Sequence, residues 1–570
     1  MRVSYGEGTV AEAIYLTDMS VCLPQSALST TPQRHKWQVV EYTAEEGLAG
    51  KMAFAHALYE TPPITLPLNV EGWHAFSIGF WPGVEQEHTS LVKYRLSGEA
   101  VYTVAEHYVQ SPSLPGNFWD RTELVETFPR FADLTGQDLL FSKQNTAHPQ
   151  TLACVAYVKL VPLMQSEVEA IQRDREQRET RRVVGMIDGE GLFHQKCPAT
   201  KEELQEQIEP FRYADVGKVL WGVNLSDLTY YHSKVGRFYG TEDGVCPVLR
   251  HEHALKSHKA LAEQGIVPFA AAMEYAHELD LEFHTYYRLS IVDKAQPYFF
   301  FSTETSFVRD NPDCRIVAKD GSPLMKASYA FPKVRNFMVS LMEEAMEYDI
   351  DGVHLCFTRG PEYIGYEQPV LDEFRRLYGE DARDAADDDE RLYKVKASYL
   401  TEFLRAVRET ADEHGKKRGR KMQVSAIFEG GKEDMRYFAY DAYTWVEEKL
   451  VDFIITNPPS DLVRLAKENG CQVYMFSTKD DKVLTMKHAY AAGMDGMAIW
   501  DINTTRPETW TIESRLGHRD EVIDLPKPER YPKMKRTRLI TIHGRDFSQT
   551  VDKNVPSGWP PELLVIYTGG

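Results

Sequence analysis

The chain has 570 residues, of which 43% are hydrophobic, 11% aromatic and 26% charged, an ordinary globular composition that excludes wholesale disorder and is too long for one small module. Lys and Arg total 65 against 85 Asp and Glu, a formal charge of −20, and that field repels polyanions and argues against a nucleic-acid partner.

Residues 1–163 lack long helical patterns and carry short β-type runs at Trp37 to Tyr42, Trp73 to Trp81, Leu91 to Leu96, Leu139 to Ser142 and Leu152 to Leu163. Turn formers separate them, as in ETPPITLPL, FWPG, SPSLPGN and LTGQD, so the segment is predicted to be an all-β sandwich of jelly-roll type. Trp73, Phe76, Phe80 and Trp81 fit either a sugar-stacking platform or an apolar core. Residues 164–181 contain SEVEAIQRDREQRETRR, whose helical spacing and mixed charge predict a linker helix with a solvated face.

Across residues 182–523, short apolar runs alternate with amphipathic stretches. Eight strands are expected, at Val183 to Ile187, Lys218 to Val223, Leu281 to Leu289, Gly352 to Thr358, Met422 to Phe428, Val451 to Thr456, Gln472 to Ser477 and Gly496 to Asp501. Helical patterns such as FPKVRNFMVSLMEEAMEY and LYKVKASYLTEFLRAVRETADEHG lie between them. This alternation predicts an α/β fold, a (β/α)8 TIM barrel, with an open doubly wound sheet as the alternative. No G-x-G-x-x-G or Walker-type loop follows any strand, so no nucleotide cofactor is expected. Residues 524–570 begin Pro-rich and continue with strand-like runs at Arg538 to His543 and Leu563 to Tyr567, a β extension expected to pack on the other domains.

In such a barrel the reacting groups stand at the C-terminal ends of the strands. That position selects Asp188, Glu190 and His194 after the first strand, and His284, Tyr286 and Arg288 on one face of the third. The fourth offers His354, Cys356, Arg359, Glu362 and Glu367; Glu429, Asn457, Asp480 and Asp501 follow the fifth to eighth. Several carboxylates around one mouth suit glycosidic cleavage, in which one acid protonates the leaving oxygen and another attacks or activates water. Each acid has a plainer reading as a helix N-cap or a surface ion pair. His284, Arg288, His354 and Arg359 can bind sugar hydroxyls or an anionic substituent, or can neutralise the acids beside them.

A metal site is the competing chemistry. His251, Glu252 and His253 form a triplet too short for H-E-x-x-H geometry that opens a helix-like stretch, so no metal is expected. The seven cysteines are scattered without a C-x-x-C pair, and no 18-residue apolar run or secretory leader is visible. Reduced thiols, a cytoplasmic location and no membrane partner are the expectation.

The segment FPKVRNFMVSLMEEAMEYDIDGVHLCFTRGPEYIGYEQPVLDEFRRLYG resembles the family 10 glycosylhydrolase-like TIM-barrel proteins, in which a helix leads into a D-G-[VI]-[HN]-L-D-[FY] strand followed by an arginine. YTWVEEKLVDFIITNP and MAIWDIN extend the resemblance over roughly residues 182 to 510. It implies a carbohydrate-active hydrolase acting on an oligo- or polysaccharide, neutral or anionic, preceded by a β-sandwich accessory domain that binds carbohydrate, completes a cleft or stabilises the barrel. The sequence departs from the family pattern at Cys356, where relatives often carry Asp. The expected catalytic set is therefore Glu429 as acid/base with Asp501 or Asp188 as nucleophile or base. Glu190, His284, Arg288, His354, Arg359, Glu367 and Asn457 are the expected sugar ligands. A non-catalytic carbohydrate-binding protein and a metal-dependent hydrolase of non-sugar bonds are the alternatives.

Overall fold

The structure is a computed structural model that describes residues 12–56, 59–81, 90–107, 123–143, 152–239, 249–292, 306–477, 481–502, 507–525 and 534–546. The expected strand at Leu563 to Tyr567, the expected mouth residue Asp480 and the side chain of His251 lie outside the described residues. The chain divides into two compact units, one of residues 1–177, 505–513 and 526–570, the other of residues 178–504 and 514–525.

The first unit is β-rich and largely antiparallel. Its strands run, by hydrogen-bonded neighbour, Ile14–Leu16, Tyr157–Pro162, Trp73–Phe80, Glu123–Glu126, Arg536–Ile542, Trp37–Ala44, Ala49–His56, Leu152–Val155, Ser90–Leu96, Leu139–Lys143 and Ile64–Leu66. The strand Arg536–Ile542 joins two halves, pairing Arg536 to Arg538 with Val125 to Glu123 and Leu539 to Ile542 with Ala44 to Tyr42. Phe76, Ile78, Phe80, Val158 and Leu160 from one half share an apolar core with Trp37, Ala53, Ala55, Val92, Phe141 and Val155 from the other. That common core makes the unit a sandwich, and period-two alternation produces it, as in the burial of Trp37, Val39, Tyr42 and Ala44.

The expected aromatic platform is not an open surface. Phe76, Phe80 and Trp81 are buried, and the half-buried Trp73 is covered by the Arg175 guanidinium, 5.4 Å from its ring centroid. Arg175 lies on the helix Gln165–Glu176, whose first turn is closed by Glu167 accepting the Met164 amide at 2.9 Å, and it donates to the Phe131 carbonyl at 2.7 Å.

The second unit is built on a closed parallel barrel of eight strands, β1 (Val183–Ile187), β2 (Val216–Gly222), β3 (Glu282–Arg288), β4 (Gly352–Cys356), β5 (Gln423–Ile427), β6 (Phe453–Thr456), β7 (Gln472–Ser477) and β8 (Gly496–Ile499), with β8 pairing back to β1. Most of these strands are buried on both faces, which explains their near-continuous apolar sequences. Helices separate the strands, the longest being Glu390–Arg418, which Asp389 caps through the Arg391 amide at 2.8 Å and Gly419 ends in the left-handed region at φ 70°.

Inward residues stack in layers. At the strand starts, Glu282 accepts from Lys218 at 2.5 Å and from Gln423 at 2.7 Å. Above this polar plug sits an apolar layer that includes Met186, Leu220, Tyr286, Cys356, Ile427, Ile455 and Ala498. The next inward positions are Asp188, Arg288, Glu429 and Trp500, at the C-terminal mouth.

Candidate active site

At the mouth, β1 ends in Asp188, which caps the helix Gly189–Gln195 by accepting the Glu190 amide at 3.3 Å. The turn requires glycine at 189, since a Cβ there would stand 2.2 Å from the Gly222 carbonyl oxygen and 2.8 Å from the Tyr230 ring. Arg288 at the end of β3 bridges two acids, with Nη1 donating to Glu190 Oε2 at 2.9 Å and Nη2 in close contact with Asp188 Oδ2. Asn224 fixes the Arg288 backbone from both sides: its Oδ1 accepts the Arg288 amide at 2.9 Å and its Nδ2 donates to the Arg288 carbonyl at 3.1 Å.

Beyond β8, Asp501 adopts φ 48°, a conformation that is uncommon without glycine and that concentrates at functional sites. This bend brings its Oδ1 within 3.2 Å of the Asp188 amide, which donates to it. Burial, reinforced by the Asp188 charge, pushes the Asp501 carboxyl up to about 6. Two neighbouring aspartates thus occupy opposite settings: Asp188 lies against a guanidinium, while Asp501 holds its proton well above the usual carboxylate range.

Glu429 continues the inward face of β5. Its Oε2 is buried without a protein hydrogen bond, and burial raises the pKa of its carboxyl. The loop after β6 abuts it, because a Cβ on Gly430 would stand 2.7 Å from the Asn457 carbonyl oxygen. Asn457 is exposed there. Arg359, after β4, lies 3.8 Å from Asp188 Oδ2 and 4.7 Å from the centroid of the Trp500 ring.

Three expected sugar ligands are placed elsewhere. His284 is fully buried one inward step below Tyr286, 3.5 Å from Glu282 at the start of β3. His354 is likewise fully buried, its Nδ1 2.8 Å from Ser425 Oγ, and burial lowers its pKa well below the usual imidazole range. Glu367 is buried before the helix Gln368–Tyr378, where it accepts the Gly365 amide at 2.8 Å and the Val317 amide at 3.3 Å. These three hold the interior and a loop together rather than facing the mouth.

Tyr230 and Trp500 join the site without having been singled out from sequence. Tyr230, from the excursion after β2, is buried with its hydroxyl lacking a hydrogen-bond partner, and burial followed by the Glu190 charge raises its pKa. Cys356 is buried too; it receives a hydrogen bond from Tyr286 Oη at 3.2 Å, and burial raises its thiol. Among the described residues no group of three or more His, Cys, Asp or Glu is placed to hold a metal ion, and no helix is long and apolar enough to cross a membrane.

Comparison with solved structures gives distant likenesses to carbohydrate-active enzymes. The cycloalternan-degrading enzyme from Trueperella pyogenes is 10% identical at a TM-score of 0.33, covering 87% of this chain and 69% of that one. A glycoside hydrolase family 18 N-acetylglucosaminidase from Paenibacillus barengoltzii is 11% identical at a TM-score of 0.30, over 59% of this chain and 99% of that one. The cycloisomaltooligosaccharide glucanotransferase of Paenibacillus sp. is 9% identical at a TM-score of 0.32 over 74% of this chain, which spans 52% of that enzyme's length. No curated protein matches. The family described as glycosyl hydrolase-like 10 matches residues 199–461, a segment that holds β2 to β6 with Arg288, Arg359, Glu429 and Asn457, so this part of the barrel is similar in sequence to that family.

Proposed function

We propose that the barrel is a glycoside hydrolase that cleaves an oligo- or polysaccharide at its C-terminal mouth. The observation that carries this reading is the Asp188 to Asp501 contact, with Asp188 against Arg288 and Asp501 protonating at about 6. A glycosidase needs one carboxyl that keeps its proton near working pH and another group that stabilises or attacks the oxocarbenium-like carbon. Asp501 is the proton donor in this scheme, and Glu429, three strands away around the barrel, is the second carboxylate. Glu190 and Asn457 bind sugar hydroxyls, and Asp188 with Arg288 sets the field around Asp501.

The test is a screen of the purified protein against neutral, uronic-acid and sulfated polysaccharides, reading released reducing ends. On the substrate found, Asp501→Asn and Glu429→Gln are each expected to lower kcat by ~10²- to 10⁴-fold. Full activity in both variants would remove the assignment. The second reading, a non-catalytic carbohydrate-binding protein, draws on Cys356, which supplies no carboxylate where the resembled strand pattern has one. Binding of a glycan without any cleavage would put that reading first.

A further inference from the structure

Glycosidic cleavage at the mouth engages Asp188, Glu190, Asp501, Arg288, Glu429 and Asn457, and leaves Arg359 without a role. Its surroundings are unusual for a surface arginine. The backbone around it is fixed: Tyr363 Oη donates to the Phe357 carbonyl at 3.0 Å and lies 3.4 Å from the Arg359 carbonyl. Lys326 Nζ donates to the Pro361 carbonyl at 3.0 Å, and Gly360 turns in the left-handed region at φ 71° with no room for a side chain against Ser290. The side chain nevertheless remains 51% exposed.

What holds the guanidinium is the Trp500 ring beneath it, 4.7 Å from centroid to Cζ, an attraction that restrains the cation while leaving its N–H donors available. Among the described residues those donors make no hydrogen bond; the acid paired with it, Asp188 at 3.8 Å, is already engaged more closely by Arg288, and Asp501 feels its charge without a hydrogen bond between them. Glu190 is also held by Arg288. A guanidinium restrained on an aromatic face, partly open to solvent and beside acids that have another cation, is pre-organised for a planar or tetrahedral oxyanion.

We infer that Arg359 on Trp500 is a subsite for an anionic substituent, a carboxylate or sulfate, on the sugar that occupies the barrel mouth. The inference rests on the reading that the mouth binds carbohydrate and adds the chemical class of that carbohydrate. A neutral glycan would offer these donors only uncharged hydroxyl oxygens, whereas a uronate or sulfated ring would place its charge against them with Trp500 below.

The test is equilibrium binding of three probes, D-glucuronate, D-glucose 6-sulfate and D-glucose, to the full chain by calorimetry at fixed ionic strength. At least one charged probe is expected to bind ~10-fold or more tightly than glucose, a factor typical of one charge-assisted contact; which of the two does so separates carboxylate from sulfate. Arg359→Ala is expected to abolish that preference, and Arg359→Lys, which keeps charge and bulk, to retain part of it, with thermal unfolding confirming that both variants fold. Equal binding of charged and neutral probes, no binding of any probe, or a preference that survives in both variants would overturn the inference. A preference lost in Arg359→Ala without cleavage of any glycan would sink the hydrolase reading and leave the subsite standing. Cleavage of neutral glycans with no charge preference would do the reverse.

Discussion

Replacing Asp501 by Asn is expected to make the protein more stable at neutral pH while removing its activity. The unfolded chain ionises this carboxyl at the ordinary 3.8 and the folded chain at about 6. Between those values the folded state binds the extra proton, so the penalty for folding a charged Asp501 is fully present above about 6 and disappears as the pH falls below 3.8. A difference of that size corresponds to roughly 3 kcal/mol. Because the side chain is only partly buried, solvent screening reduces the recoverable part to ~1–2 kcal/mol. Asn keeps the acceptor for the Asp188 amide and removes the charge beside Asp188. For a unit of this size the gain amounts to a rise in Tm of about 1–3 °C at pH 7.5, and most of that difference should be gone by pH 4. The assay is thermal and urea unfolding of wild type and variant across pH 4 to 8. A variant that is less stable at pH 7.5, or whose advantage is independent of pH, would refute the reasoning from burial and the Asp188 charge.

Arg288→Met removes the cation between Asp188 and Glu190 and leaves two acids facing one another in a mostly buried site. The unfolding free energy of the barrel should fall by ~3–5 kcal/mol, measured as a lower urea midpoint, with a smaller loss in Arg288→Lys, which keeps charge but not the two-pronged geometry. Leu539→Ala opens a cavity where a fully buried side chain packs with Tyr42, Trp81 and Leu124. A loss of ~2–4 kcal/mol is expected, read from the unfolding transition of the β-rich unit, and an unchanged transition would show that this strand contributes little.

The barrel was legible because its strands are short, buried and separated by strongly amphipathic helices; the run Val183 to Ile187, for example, is apolar throughout and coincides with β1. The mouth was legible where position after a strand and period-two alternation agreed, as for Asp188 and Arg288, whereas Asp501 follows its strand on the other parity and reaches Asp188 only through its bend at φ 48°. Alternation gives the face of a strand but not the depth along it, so His284 and Arg288 share an inward row while one sits in the closed interior and the other at the mouth. Glu367 carried the same acidic signal as Glu429, yet its backbone partners Gly365 and Val317 show it to be an internal tie for loops. Tyr230 and the cover of Trp73 by Arg175 depend on tertiary approach that no local pattern encodes.

The strand Arg536–Ile542 has a consequence for the order of events during synthesis. It lies between Glu123–Glu126 and Trp37–Ala44, in the middle of its unit, yet it leaves the ribosome after every strand of the barrel. The early β segments must therefore wait, with two pairing edges unfilled, while the whole barrel is made. Such edges invite association with other chains. Nascent chains halted before Arg536, and recombinant fragments that end near residue 163, should accordingly depend on chaperones or aggregate, whereas the barrel can complete its own ring of strands first.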